Sequence, residues 1–371
     1  MTTLPAGFTA RPVDPATDVP RIVALCEAAA IADFGVTDVT ERMVRGAYSL
    51  PSFTAATDSH LVLGPDGQAL AIAEYYDGEE LHVAPYLFQR VHPQHRRPDV
   101  LDPLLGWAAE RAPQNLHLAP AGVRVGLHTD VAAVNEPTIE ALERAGWHRD
   151  RTDWTMEIDL VAAAPLPDPE WPAGIVLRPV DLDRDARRIH AAENDFFSDH
   201  YGFVPSPFEQ WWHFRTRFFQ AEPELWILAE ADDEIVGMAL CSSQRPGQPD
   251  LGWVSTLGVR RDWRRRGLAL AILRRAFRLL ADRGKTRAGL GVDAQSLTGA
   301  TRLYEKAGMR VVREAYEYEL VVREGRDLRT LSLEKGSRPP LEGRRTLAYT
   351  RRSIGSAPRC RSLSVGRLSR W

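Results

Sequence analysis

Between residues 225 and 320 short apolar runs alternate with polar turns and two amphipathic stretches, the pattern of strands alternating with helices. Leu225–Ala229 and Ile235–Leu240 are apolar and flank Asp232-Asp233-Glu234, so they predict a hairpin. Gly252–Val259 predicts a further strand. From Leu268 to Leu280, apolar residues fall at 268, 272, 273, 276, 277 and 280, while Arg274, Arg275 and Arg278 take the other side. That is the spacing of a helix lying on a sheet, and Asp282-Arg283-Gly284 supplies its stop. Leu290-Gly291-Val292 reads as a strand and Thr298–Ala307 as a helix ended by Gly308. Tyr316, Tyr318 and Leu320 alternate with Glu317 and Glu319 in a last strand. The economical product is an α/β (α+β) unit, a mixed sheet with helices packed on it.

This unit is written twice. Arg11-Pro12-Val13-Asp14 recurs as Arg178-Pro179-Val180-Asp181, and Glu143-Arg144-Ala145-Gly146-Trp147 as Glu305-Lys306-Ala307-Gly308-Met309. Between them, Val91–Arg97 aligns with Val259–Arg265. Three anchors in one order and spacing imply two copies of a whole domain rather than a solenoid. The seam is Val161–Pro172, with four prolines in its last eight residues, which blocks regular helix and central strand alike. The expected organisation is therefore a first domain at 6–160, a linker at 161–173, a second domain at 174–322 and a tail at 323–371.

Charge separates the tail from the rest. Residues 323–371 hold thirteen basic residues against four acidic ones, a net +9, so with −3 overall the remainder carries −12. An acidic body argues against nucleic acid as the partner of the folded part. No apolar run approaches the ~20 residues that cross a bilayer. The N-terminus lacks the basic start and apolar segment of a secretory signal, and Cys26, Cys241 and Cys360 follow no metal-binding spacing. The expectation is a cytoplasmic protein with reduced thiols, no metal and no membrane contact; oligomeric state is open.

The chemistry concentrates where a strand ends at Val259, a basic segment follows, and Gly267 opens a helix. A helix start presents unpaired N–H groups and about half a positive charge, a ready site for pyrophosphate. Arg264 and Arg265 precede the turn and are the arginines expected to add charge-assisted bonds, with Arg266 beside them. Basic clusters are more often solvated surface; the glycine that follows this one distinguishes it.

Arg264-x-x-Gly267-x-Ala269, with Leu268 between the last two, resembles the coenzyme A pyrophosphate loop of the GNAT acetyltransferase superfamily. Ser296-Leu297-Thr298-Gly299-Ala300-Thr301-Arg302-Leu303-Tyr304-Glu305-Lys306-Ala307-Gly308-Met309 resembles the family's second signature, with Ser296 where Asn is usual. The resemblance covers about residues 175–320. It implies two GNAT-like domains, each a mixed, mostly antiparallel central sheet flanked by helices. It also implies acetyl-coenzyme A (acetyl-CoA) as co-substrate and transfer to a primary amine of a small molecule. Leu257, Gly258 and Val259 on a splayed strand would meet the pantetheine arm, Ser296 would assist, and Tyr304 would protonate the departing thiolate. In isolation Tyr304 also fits a core aromatic on a helix. The two-copy architecture with one active half further resembles the mycothiol synthases, an actinobacterial branch of the superfamily. A reading from another class is a non-catalytic coenzyme A-binding or scaffold protein.

The first copy fails the same criteria. Asp99 stands at the place of Gly267 and Leu101 at that of Ala269, while Pro98 removes a donor and Leu142 replaces Tyr304. The first domain is therefore expected to be a degenerate copy. Acceptor contacts are expected from the aromatic and acidic stretch containing Glu193, Asp195, Phe196, Phe197, Asp199, His200, Tyr201, Phe208, Trp211 and Trp212; its aromatics could equally be core. Glu193, Asp195, His200 and Asp250 are the candidate bases. Gly325 onward, rich in Arg, Ser, Gly and Pro, reads as a disordered and dispensable extension.

Overall fold

A computed structural model describes residues 4–329. The first half contains β1 (Thr9–Arg11), α1 (Val19–Phe34), α2 (Glu41–Tyr48), α3 (Ala55–Asp58), β2 (Ser59–Leu63), β3 (Ala69–Tyr76), β4 (Tyr86–Val91), α4 (Pro98–Arg111), β5 (Val125–Ala132), α5 (Glu136–Arg144) and β6 (His148–Asp159). The second repeats the theme with β7 (Val176–Arg178), α6 (Leu182–Phe197), α7 (Phe208–His213), β8 (Ile227–Ala231), β9 (Glu234–Ser242), β10 (Leu251–Val259), α8 (Leu268–Asp282), β11 (Arg287–Asp293), α9 (Ala300–Lys306) and β12 (Arg310–Arg323). The expected strand at 225–229 lies two residues later, because Pro223 starts a tight turn in which the Leu225 N–H bonds Glu222 O. The helix expected from Thr298 starts at Ala300, after Gly299 turns into the left-handed region.

All twelve strands form one sheet, ordered β1-β2-β3-β4-β5-β12-β6-β11-β10-β9-β8-β7. Among its described pairs, only β4–β5 and β10–β11 run parallel. Each half gives its last strand to the other. β12 pairs with β5 from Ala315↔Ala132 to Arg323↔Val125, and β6 pairs with β11 from Arg287↔Asp159 to Asp293↔Asp153. The cores follow the exchange: Tyr318 of β12 is buried with the first half's Leu127 and Leu142, and Met156 of β6 with the second half's Leu290 and Tyr304. Separating the halves would break both ladders and open both cores.

The internal repeat is visible atom by atom. Arg11 grips the fully buried Asp18, and Arg178 grips the fully buried Asp185 in the same bidentate way. α8 lays Leu268, Ala271, Ile272, Leu273, Ala276, Phe277 and Leu280 on the sheet. It approaches so closely that a Cβ on Gly237 of β9 would meet Ile272 Cδ1 at 2.6 Å. Cys26 and Cys241 are buried free thiols, and burial pushes Cys241 up to about 12. Cys360 lies outside the described residues. Among the described residues no helix is long and apolar enough to cross a membrane.

The tail expectation needs correction at its start. Residues 323–329 are part of the fold: Arg323 ends β12, Arg326 bridges to Val123, and the buried Arg329 reaches Glu319 at 3.1 Å and Asp327 at 2.6 Å. Two acidic partners secure an arginine that composition alone assigned to a loose extension. The remainder of the tail, 330–371, lies outside the described residues.

Candidate active site

β10 and β11 pair only at Leu251↔Arg287, Gly252↔Ala288 and Trp253↔Gly289. Beyond Trp253 they part. At the same point the β10–β9 register slips between Val254 and Thr256, leaving Ser255 as an inserted residue. The strand edge Leu257–Val259 therefore faces an opening rather than a neighbour. That opening is part of a cleft of about 1550 Å³, which runs past Arg264, Arg265, Gly267, Leu268, Ala269, Ser296 and Tyr304.

The turn after β10 is built for unpaired donors. Arg265 has φ +62° and Gly267 φ +84°, two left-handed residues in a three-residue stretch. A side chain at 267 would meet nothing within 4 Å, so glycine is required there for its backbone conformation and not for space. The first bond of α8 runs from the Ala271 N–H to Gly267 O. The N–H groups of Arg265 through Leu270 donate to no described residue, a cradle of the kind that holds phosphate.

The three arginines have different fates. Arg264, expected to contact phosphate, is committed elsewhere: its Nε donates to Val259 O at 3.1 Å, and its terminal nitrogens bind Phe196 O and the Asp199 carboxylate. Burial alone would raise the Asp199 pKa, but the hydrogen bonds and charges of Arg264 and Arg261 together hold it below its ordinary range. Arg266 lies over the Trp263 ring at 4.9 Å and does not line the cleft. Arg265 lines it and has no ion pair among the described residues.

In the first half most of the equivalent donors are spent. The N–H of Arg97 bonds His95 O, those of Val100 and Leu101 bond Arg97 O, and Pro98 has none. Asp99 occupies the helix start, paired with Arg97 at 2.7 Å.

Tyr304 on α9 satisfies both readings of the sequence, since it packs in the second core and borders the cleft. Ser296 also borders the cleft, its hydroxyl 3.0 Å from that of Thr298. Among the proposed bases, Asp250 is outside the cleft and paired with Arg287 at 2.8 Å, and Asp195 does not line it. Glu193 does, and both its carboxylate oxygens already accept, from Arg215, Trp211 Nε1 and Thr256. His200 borders the cleft and packs edge-on to Phe197. Phe196, Phe197, Tyr201 and Trp211 also line it, whereas Phe208 and Trp212 stack against each other in an adjoining core.

Sequence reasoning missed the far wall. Tyr86, His128, Asp130 and Asp153 of the first half, Glu317 of the exchanged β12, and Arg326–Arg329 close the same cleft. Only the cross-half pairing brings them there, and no local pattern marks it. His128, Asp150 and Glu317 bring one donor atom each within 4.8 Å of one another. Their donors already engage neighbours: His128 lies 3.1 Å from Arg329 and 3.0 Å from Glu317, and Asp150 accepts from the Tyr201 hydroxyl.

The Acetyltransferase (GNAT) family model matches residues 186–309. Over 318 residues the chain is 32% identical to the mycothiol acetyltransferase of Kineococcus radiotolerans, spanning 83% of this chain and 95% of that one. The chain belongs to the GNAT acetyltransferase family. A second mycothiol acetyltransferase, from Thermobispora bispora, is 29% identical over 310 residues, 78% of this chain and 92% of that protein. Among solved structures, a GCN5-related N-acetyltransferase from Sphaerobacter thermophilus superposes with a TM-score of 0.71 at 34% identity, over 89% of this chain and 100% of that one. A tandem GNAT protein from the clavulanic acid biosynthesis pathway shares the fold at 16% identity and a TM-score of 0.61, over 86% of this chain and 99% of its own. This GNAT protein is an acyltransferase of a family that draws its acetyl group from acetyl-CoA.

Proposed function

We propose that the second half binds acetyl-CoA and transfers its acetyl group to a primary amine of a small molecule. The observation that carries this reading is the asymmetry of the two helix starts: open donors at Arg265–Leu270, spent donors at the first-half counterpart. Bound acetyl-CoA supplies a thioester whose carbonyl a neutral amine attacks. The cradle and Arg265 hold the pyrophosphate, with Leu268 and Ala269 as its floor. Leu257, Gly258 and Val259 present strand-edge groups to the pantetheine arm, and Ser296 flanks it. Tyr304 Oη delivers a proton to the leaving sulfur. The acceptor enters from the wall shared by both halves, so the first half serves as a binding surface rather than a second catalytic unit.

The test combines a thermal shift with acetyl-CoA and a thiol-release assay over a panel of amines. A stabilising shift with amine-dependent release supports the reading; no shift for the wild type overturns it. A second reading, acetylation in mycothiol formation, is favoured by the 32% identity that extends over 95% of the Kineococcus enzyme. Including the acceptor of the mycothiol acetyltransferases in the panel separates the two.

A further inference from the structure

Arg215 lies in an under-wound turn, Phe214–Phe218, that follows α7 and carries π-type spacing, with the Phe219 N–H bonded to Phe214 O. Such insertions re-aim a side chain, at the cost of helical regularity. Here the guanidinium is turned inward, almost wholly buried, against three acceptors on two other elements. It donates to Glu193 of α6 at 2.8 Å, to Thr256 Oγ1 at 2.8 Å and to Ser255 Oγ at 3.1 Å. Ser255 is the inserted residue of the β10 bulge and Thr256 the first residue after it. Ser255 passes the connection on, donating to Leu240 O.

The first half is an internal control. Val91 matches Val259, since each accepts from the Nε of its equivalent arginine, and Phe88 then stands where Thr256 does. There β4 runs against β3 from Ala71↔Val91 to Tyr76↔Tyr86 with no inserted residue. The bulge and the hydroxyl pair that Arg215 grips thus occur in the half with open loop donors and are missing from the half without them.

We propose that Arg215 is a positioning residue for acyl transfer, clamping the β10 bulge to α6 so that the edge Leu257–Val259 stays open toward β11. The proposal rests on the reading that this edge receives acetyl-CoA. Without the clamp, Ser255 and Thr256 lose their shared donor and Glu193 its counter-charge, and the bulge is free to shift register. Two separate nitrogens share the contacts, Nη1 on Ser255 and Nη2 on Glu193 and Thr256, a spread that the single nitrogen of an ammonium does not reproduce.

Arg215→Met and the near-isosteric Thr256→Val test it on the full-length protein. Amide exchange without any ligand should quicken about tenfold at 254–259 in both variants and stay unchanged in α8. KM for acetyl-CoA should rise about tenfold with Arg215→Met and less with Thr256→Val, while kcat changes under threefold. Arg215→Lys should recover only part of the loss. Variants that lower the melting temperature but leave exchange at 254–259 and KM at wild-type values would overturn the proposal. If the clamp controls exchange but the wild type never binds acetyl-CoA, the site reading has failed and the catalytic meaning of the clamp with it.

Discussion

Arg264 and Arg96 occupy the same station in the two halves. Each sends its Nε to a valine carbonyl, Val259 at 3.1 Å and Val91 at 3.3 Å, and each grips an aspartate near the end of its half's first long helix, Asp199 or Asp33. A contact kept where the loop donors are spent is a strut of the fold. Arg264→Ala should therefore destabilise the protein by about 1–3 kcal/mol, the cost of stripping a partly buried carboxylate of its bidentate partner and leaving it Arg261 alone, and Arg96→Ala should cost a similar amount. Paired denaturant titrations check this. A loss of acetyl-CoA affinity from Arg264→Ala with no loss of stability would return that arginine to the phosphate site.

Gly267 is constrained by φ +84° and faces open space. Gly267→Ala should cost about 1–2 kcal/mol through backbone strain alone. Gly267→Asp adds a carboxylate at the cradle and should abolish the thermal shift with acetyl-CoA. Equal ligand shifts in the two variants would show that charge at this position does not matter.

Tyr304 is expected to act at one atom. Removing its hydroxyl in Tyr304→Phe should lower kcat about 100-fold and leave KM for acetyl-CoA within twofold. Steady-state thiol release measures both, and an unchanged kcat would make Tyr304 a core aromatic only.

Glu319 gives the structure an acid limit. Burial alone would raise its pKa, but the Arg124 hydrogen bonds and the charges of His128, Arg329 and Arg124 hold it at about 2, against an ordinary 4.5. A lowered carboxylate stabilises the fold fully above its unfolded value and loses that contribution as pH falls through the folded one. The loss should therefore run from about pH 4.5 down to pH 2 and amount to about 3 kcal/mol. Glu319→Gln should be less stable at neutral pH and show a flatter acid limb in pH-dependent melting.

The same cluster predicts where the chain may be cut. A protein ending at Arg329 should melt like the full chain, because every described contact survives. One ending at Arg323 leaves Glu319 without Arg329 and should melt several degrees lower, about 2–4 kcal/mol of lost stability. Calorimetry of the two truncations decides it.

Most of the second half was legible because its determinants are local. Apolar period marks α8, a polar turn marks the β8–β9 hairpin, and Gly267 with Tyr304 marks a motif whose spacing survives any packing. The repeat was legible too, while the Arg11–Asp18 and Arg178–Asp185 pairs that match across it came from the structure, their aspartates lying beyond the repeated tetrapeptide. The arginines were less so, since sequence gives a residue's charge but not its partner, and Asp199 claims Arg264 from another element.

Composition and pattern by themselves determined two mixed α/β units, the helix-start cradle and its absence from the first copy, all of which follow from short-range periodicity and backbone preference. Tertiary structure decided the rest. The exchange of β6 and β12 depends on pairing between strands far apart in the chain, and either partner presents the same alternating pattern to its neighbour. That exchange puts His128, Asp130 and Glu317 on the cleft that Tyr304 of α9 borders and turns Arg329 from tail into wall, because hydrogen-bond ladders and buried charge pairs are settled by what lies alongside in space.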